Sequence, residues 1–482
     1  MKRLIIILFV FCSAITSFSQ TFEEKYRAFQ QTAKNEYSDF RDKANQEYAR
    51  FLRAAWDYYK SAPAIERPQE QPVPPTPYVE PTIEADPKTL PYEVVAPIPA
   101  LQQQPEPIAP VIENDESSVT LIQISFYGTK LSFRHPRVHR ISLRNPSYDT
   151  FARTWEELAS AQYDNLIYDC LKARNDYQLC DWAYIQMLKT LSEQIYGASN
   201  EAVFLRAFIF AQSGYSMRLA ISESDKLYML IGSQYQLYDE RYFEIDGLYF
   251  YPMEETEDGL QICSGAFEKE QPMTIYINPE QRLAVENVPA PVRSSNQGVK
   301  VSPTINRNAI AFYNEYPTGQ IGGDCGTRWA NYANAPMEEC VRLTLYPALQ
   351  NAIRGVPEKQ AVSKLLNWVQ TAFEYEYDDK VWGHDRAFFP SETLYYPYAD
   401  CEDRAILFSR IVRDLLGLDV VLLYYPGHLA TAVCFSQEIK GDYVLVENRK
   451  YIICDPTYIG APIGATMPGM DNQTAKVIVL KR

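Results

Sequence analysis

The chain has 482 residues, 46% of them hydrophobic, and a formal net charge of −15. That length holds two or three domains with cores of their own. So acidic a chain has no general affinity for phosphate backbones, and no basic run overrides the balance, so nucleic acid is not an expected partner.

The first nineteen residues read as a secretory signal. Lys2 and Arg3 supply the positive start, Leu4 to Ile15 a short apolar core, and Ser17 and Ser19 the small residues of a cleavage site before Gln20. The expected location is exported, periplasmic or associated with the cell envelope. Cys12 leaves with the signal. No later apolar run is long enough to span a bilayer, so no transmembrane span is expected after cleavage. Eight cysteines remain, and in an oxidising compartment some can pair. A chain of this size has no need of disulfides to hold a core.

Residues 20–60 read as an amphipathic helix with an eleven-residue repeat. Tyr26, Phe29 and Ala33 recur as Tyr37, Phe40 and Ala44, then as Tyr48, Phe51 and Ala55. Eleven residues over three turns keep this stripe on one face. The stripe suits packing on the chain's own domain or self-association with a protein partner. Residues 61–117 hold fourteen of the 32 prolines. A segment so composed builds no core and reads as a Pro-rich linker, reaching on the order of 150 Å at about 3.1 Å per residue.

From residue 118 to 295 the pattern is an α+β middle domain. Val119 to Phe133 alternates as strands around Tyr127-Gly128, residues 148–196 and 200–213 are helical, and short strands follow with a hairpin at Asp246-Gly247. The helix–Gly–strand–strand order here echoes residues 400–435. A polar, proline-containing stretch at 280–306 marks a boundary, and the last domain runs over 307–482. Its helices are expected at Ala361–Ala372 and Glu402–Leu416, the latter stopped by Gly417, with strands at Val420–Tyr425, His428–Phe435, Tyr443–Glu447 and Lys450–Cys454.

Thiol catalysis needs a cysteine made partly thiolate, a histidine to take and return its proton, and a third group to fix the imidazole. The chain has only four histidines: His135, His139, His384 and His428. Cys401 opens a helix behind Asp400, a good N-cap, with Asp403 three residues on. Backbone N–H groups there favour an anion and an oxyanion. The acids Asp400, Glu402 and Asp403 oppose this by raising the thiol pKa, with Arg404 as a partial offset. His428 follows Pro426-Gly427 at a strand start. Asp455 ends the next strand, where a carboxylate can hold the imidazole tautomer. Each of the three has an ordinary structural role as well, and their order makes the set specific.

The runs Ala399-Asp-Cys401-Glu-Asp-Arg-Ala405, Pro426-Gly-His428 and Cys454-Asp455-Pro-Thr-Tyr458 resemble the transglutaminase-like domain over about residues 360–465. The resemblance implies a papain-like fold with the cysteine at a helix start against an antiparallel sheet. It also implies Cys401 as nucleophile, His428 as general acid/base and Asp455 as orienter. The expected function is that of a cysteine peptidase or amidase acting on a peptide or protein substrate. The alternatives are an idle-triad binding module of the envelope and a crosslinking or deamidating enzyme. Gln370 and Trp382 are candidates for a second oxyanion donor. Gly322-Gly-Asp-Cys325-Gly resembles a nucleophile turn, but the polar stretch Asn331 to Asn334 argues against the helix that activates a thiol. Cys434 and Cys454 are expected on opposite sheet faces, where they cannot pair. No cofactor or metal is expected. No Gly-rich phosphate loop is present, and His135 and His139 flank Pro136 in an Arg-rich stretch.

Overall fold

The computed structural model describes residues 40–67, 72–80, 89–90, 93–95, 104–111, 113, 119–137, 140–470 and 475–481. The expected signal segment, the repeat up to residue 39 and His139 lie outside these residues. The architecture is α+β, with helices packed on mainly antiparallel sheets. Among the described residues no helix is long and apolar enough to cross a membrane.

Two units share one plan. In the first, helix Asn200–Gln212 leads into strands Met217–Ile221, Leu227–Ser233, Phe243–Ile245, Leu248–Pro252 and Gly259–Ile262. In the second, helix Cys401–Leu416 leads into Asp419–Tyr425, His428–Cys434, Tyr443–Val446, Arg449–Cys454 and Lys476–Val479. Numbered from its helix, each set lies in space in the order fifth, first, second, fourth, third. All these pairings are antiparallel in both units. The faint echo in the sequence is a repeated topology.

Each sheet is closed by a strand from far upstream. In the first unit Asp57–Lys60 pairs with Gly259–Ile262, and Ala62 then bridges Tyr242 beside the opposite edge. In the second, Thr89–Leu90 pairs with Tyr443 and Val444, while Glu93–Val95 pairs with Lys476–Ile478 at the other edge. Leu90 and Glu93 are three peptide steps apart, at most about 11 Å. The two edges are therefore drawn together, and the second sheet curls into a barrel. Alternate residues fill it: Val421, Leu423, Tyr425, Ala430, Ala432, Val444, Tyr451, Ile453 and Val477 are all buried. Ala220, Tyr228, Leu230, Phe250 and Ile262 do the same in the first unit. The outward residues Val420, Val433, Ile452 and Cys454 pack under Trp368, Phe408 and Ile411 of the helices. A further core runs through both units, joining Phe208 and Leu219 to Trp329, Ile406 and Leu429.

Three expectations need correction. The helix described over 40–53 ends before 60, because the chain turns and residues 57–60 enter a sheet. Its buried stripe is Asn45, Tyr48, Ala49 and Leu52, whereas Phe40 and Phe51 of the repeat are exposed. Tyr48 lies 4.4 Å from Trp155 and 4.7 Å from Phe267, ring to ring, and Asn45 accepts from Trp155 Nε1 at 2.8 Å. This helix docks on its own domain. The Pro-rich stretch does not act as a free spacer in its described parts. It supplies Thr89–Leu90 and Glu93–Val95 at the two edges of the second sheet, because pairing with distant edges gives its backbone the partners that its local composition lacks. The boundary near 307 also moves upstream, since Val301 and Ile305 belong to the core of the second unit. Arg293 is buried there, donating to the carbonyls of Thr393 and Leu394 at 3.3 and 3.1 Å.

Candidate active site

The helix Cys401–Leu416 starts where the sequence favours it. The Asp400 side chain accepts from the Asp403 N–H, and the Asp403 carboxylate accepts from the Asp400 N–H at 3.3 Å, which makes a reciprocal cap. Gly417, with φ 66°, ends the helix in a left-handed turn that costs glycine nothing. Cys401 is the first helical residue and is buried.

His428 and Asp455 are brought together. Pro426 and Gly427 turn the chain so that Tyr425 and His428 face each other across the hairpin. The neighbouring strand ends at Cys454. Asp455 Oδ2 lies 2.8 Å from His428 Nε2, and Oδ1 accepts the N–H groups of Thr457 and Tyr458 at 2.8 and 3.2 Å. The carboxylate is thus fixed by the turn that follows it. His428 Nδ1 is buried and has no hydrogen-bond partner among the described residues. The Tyr425 ring stacks beside the imidazole, 6.3 Å between centroids.

Cys401 meets the same hairpin. The backbone N–H of Leu429, next to His428, points at its sulfur and favours the thiolate. Burial and the carboxylates of Asp400 and Glu402 work the other way, and the thiol sits well above its usual pKa. Asp400, Glu402 and Asp403 are themselves buried and pushed up, first by desolvation and then by neighbouring carboxylates: Asp378 and Asp385 act on Asp400, and Asp400 acts on both Glu402 and Asp403. Among the described residues Arg404 makes no ion pair with them, although Asp400 and Asp403 act on its charge. Its guanidinium donates instead to the carbonyls of Ala399, Gln370 and Phe373, pinning the loop before the helix.

Two groups of side chains converge closely enough to hold a cation: Asp400, Cys401 and Glu402, and Asp378, Asp385 and Glu402. Positive charge is already supplied at the second by Arg328, buried and paired to Asp385 at 2.5 Å.

Gln370 is not free for an oxyanion. Its amide nitrogen donates to the carbonyls of Asp455, Tyr458 and Ala461 at 3.0, 2.9 and 3.2 Å. It holds the loop behind Asp455, a role no local signal announced. The Trp382 ring packs against Phe388 and Tyr396 and under the Arg386 guanidinium, 4.2 Å away.

The alternative cysteine needs a correction too. Helix Gly326–Asn334 does follow Cys325, with Arg328, Asn331 and Trp329 all buried. Its polar residues face inward onto partners such as Asp385, which hid the helix from a hydrophobic pattern. Cys434 and Cys454 are both unpaired by disulfide; Cys454 packs under the helices and Cys434 against the barrel interior.

Comparisons of the chain with family models, with curated proteins and with solved structures find no match.

Proposed function

We propose that this chain is an exported cysteine hydrolase, a peptidase or amidase with a transglutaminase-like second unit, acting through Cys401, His428 and Asp455. The observation that carries the reading is the His428 Nε2–Asp455 Oδ2 contact at 2.8 Å, which leaves Nδ1 as the unpartnered ring nitrogen, while the N–H of the next residue, Leu429, meets the sulfur of a cysteine at a helix start. Asp455 fixes the tautomer with the proton on Nε2, so Nδ1 is the basic atom.

The thiol is neutral at rest, because burial and the neighbouring acids hold its pKa up. His428 Nδ1 therefore takes the Cys401 proton as sulfur attacks the substrate carbonyl carbon. The oxygen of the tetrahedral intermediate carries the displaced electron pair. The Asp400 carboxylate takes the N–H groups of Glu402 and Asp403, so the Cys401 N–H serves as oxyanion donor. Collapse breaks the C–N bond, and the leaving amine receives the proton from His428. Water then adds to the thioester, giving its proton to His428, and sulfur leaves as the thiol. An amine in place of water would give crosslinking by the same steps.

The upward push on the thiol favours one other reading, a peptide-binding module with an idle triad. Iodoacetamide labelling across pH in wild type, Cys401→Ala and His428→Ala, together with amine release from a peptide library, separates the two. The hydrolase reading expects Cys401 labelling that depends on His428, lost in the first variant and slowed in the second, and peptide cleavage lost in both. Labelling unchanged in His428→Ala with no cleavage by wild type would sink it.

A further inference from the structure

The rim of the site is not empty. Residues 72–80, with prolines at 72, 74, 75 and 77, lie along it. Proline fixes its own φ and drives the residue before it into extended backbone, so this run is held straight. Between residues 72 and 78 only Val73, Thr76 and Tyr78 have an N–H to give, and two of these three go to the rim. Val73 N–H donates to the Gly427 carbonyl at 2.9 Å, one residue before His428. Tyr78 N–H donates to the Ile459 carbonyl at 2.8 Å, four residues after Asp455. The Tyr78 ring meets Tyr458 edge-on at 5.5 Å, and the Val79 N–H reaches the Tyr458 hydroxyl. Val73 and Tyr78 pack on an apolar cluster of Tyr458, Ala461 and Met467. Gln370 braces this rim from behind through the carbonyls of Tyr458 and Ala461.

We infer that the groove past His428 and Asp455 is a binding site for an extended, proline-rich peptide bearing an aromatic residue, and that residues 73–78 are its resident occupant. The inference rests on reading Cys401, His428 and Asp455 as a peptide site, and it names the class of peptide. Two main-chain donors five residues apart set the register, and the Tyr458–Ala461–Met467 cluster takes the aromatic ring. Prolines at 74, 75 and 77 cost nothing, because the main-chain bonds to the rim come from Val73, Tyr78 and Val79. A tethered occupant acts at an effective concentration of order millimolar, so modest intrinsic affinity keeps the groove filled.

The test uses the full chain and reads alkylation of Cys401, in wild type and in Tyr78→Ala, each with and without His428→Ala. Tyr78→Ala should speed labelling by about tenfold by raising the open fraction. A synthetic peptide of residues 72–80, added to Tyr78→Ala, should slow it again, and the same peptide with serine for proline should not. An unchanged rate in Tyr78→Ala, or a fast rate that the peptide leaves alone, overturns the inference. Amide exchange in wild type is the check independent of any variant. Val73 and Tyr78 should exchange far more slowly than in the free peptide, and equal rates overturn the inference. The His428→Ala background separates the two proposals. If uncovering speeds labelling there as well, the groove stands even where the hydrolase reading fails.

Discussion

At the head of the helix that leads into each sheet, one unit carries Cys401 and the other Asn200. Both residues come first in the helix and turn their side chains toward the backbone of the same hairpin. Asn200 makes two bonds there, donating to the Asp225 carbonyl and accepting from the Leu227 N–H, each at 2.8 Å. Cys401 meets the Leu429 N–H instead. Leu227 opens the second strand where His428 does in the other unit. Matching the register, with Leu230 opposite Pro252 and Thr431 opposite Cys454, puts Met253 where Asp455 stands. One scaffold thus closes its cleft with an amide clamp, and the other leaves there a thiol, an imidazole and a carboxylate. Topology is common to both, so the proposed chemistry rests on side chains in which the two units differ.

The comparison breaks first at the triad. Cys401→Ala and His428→Ala should each cut peptide hydrolysis by at least about 10³-fold, about 4 kcal/mol of transition-state stabilisation. Steady-state cleavage measures this, and retained activity in Cys401→Ala would move attention to Cys325.

Buried acid occurs in both units, as Asp181 in the first and Glu392 in the second. Glu392 is fully buried near the start of its short helix, and desolvation raises its pKa to about 7, against an opposing pull from Arg386 at 2.8 Å. A carboxyl with a raised folded-state pKa binds its proton more tightly in the native state. Its stabilisation is complete below about pH 4 and is lost as pH rises through about 7, on the order of 3 kcal/mol in all. Asp378, raised to about 8 by burial and then by Glu402, extends the loss upward. Thermal melting from pH 5 to 9 should show the second unit weakening with rising pH, and Glu392→Gln should flatten that slope.

The site was legible because its signals are local. An N-cap before Cys401, a Pro-Gly turn before His428 and an Asp-Pro after a strand each read within a few residues. The barrels were not legible, because their closing strands pair across more than a hundred residues. Nothing in Asp57–Lys60 or Glu93–Val95 states which edge will receive it. Helix Gly326–Asn334 stayed hidden for a different reason, since its buried face is partly charged and satisfied by Asp385. The repeat at 37–55 misled through its regularity, as the helix buries Tyr48 and Leu52 while Phe40 and Phe51 face out.

Converting the clamp to a thiol sharpens the contrast. Asn200→Cys places a sulfur at the helix start of the first barrel but brings no histidine. It should label like any ordinary thiol. It should also cost about 1–3 kcal/mol, because the buried Leu227 N–H loses its acceptor. Denaturant unfolding and alkylation on the same sample read both effects. Fast labelling of the introduced thiol would mean that the helix start alone activates sulfur, and the His428–Asp455 pair would lose its claimed role.

The smallest effect tests the electrostatics around Cys401. Burial is the main cause of its raised pKa, followed by Asp400 and Glu402. Glu402→Gln removes one negative neighbour and leaves burial intact, so the thiol should titrate lower, but still above an ordinary cysteine. The pH at which iodoacetamide labelling reaches half its plateau reads this directly. Glu402 is itself pushed up by burial and by Asp400, so its negative charge is gained at higher pH than for an ordinary glutamate. The shift should therefore grow as pH rises and Glu402 ionises in the wild type, making the two labelling curves diverge on the alkaline side. Divergence on the acid side would mean that Glu402 is already charged there, with Arg328 offsetting the cost of its burial.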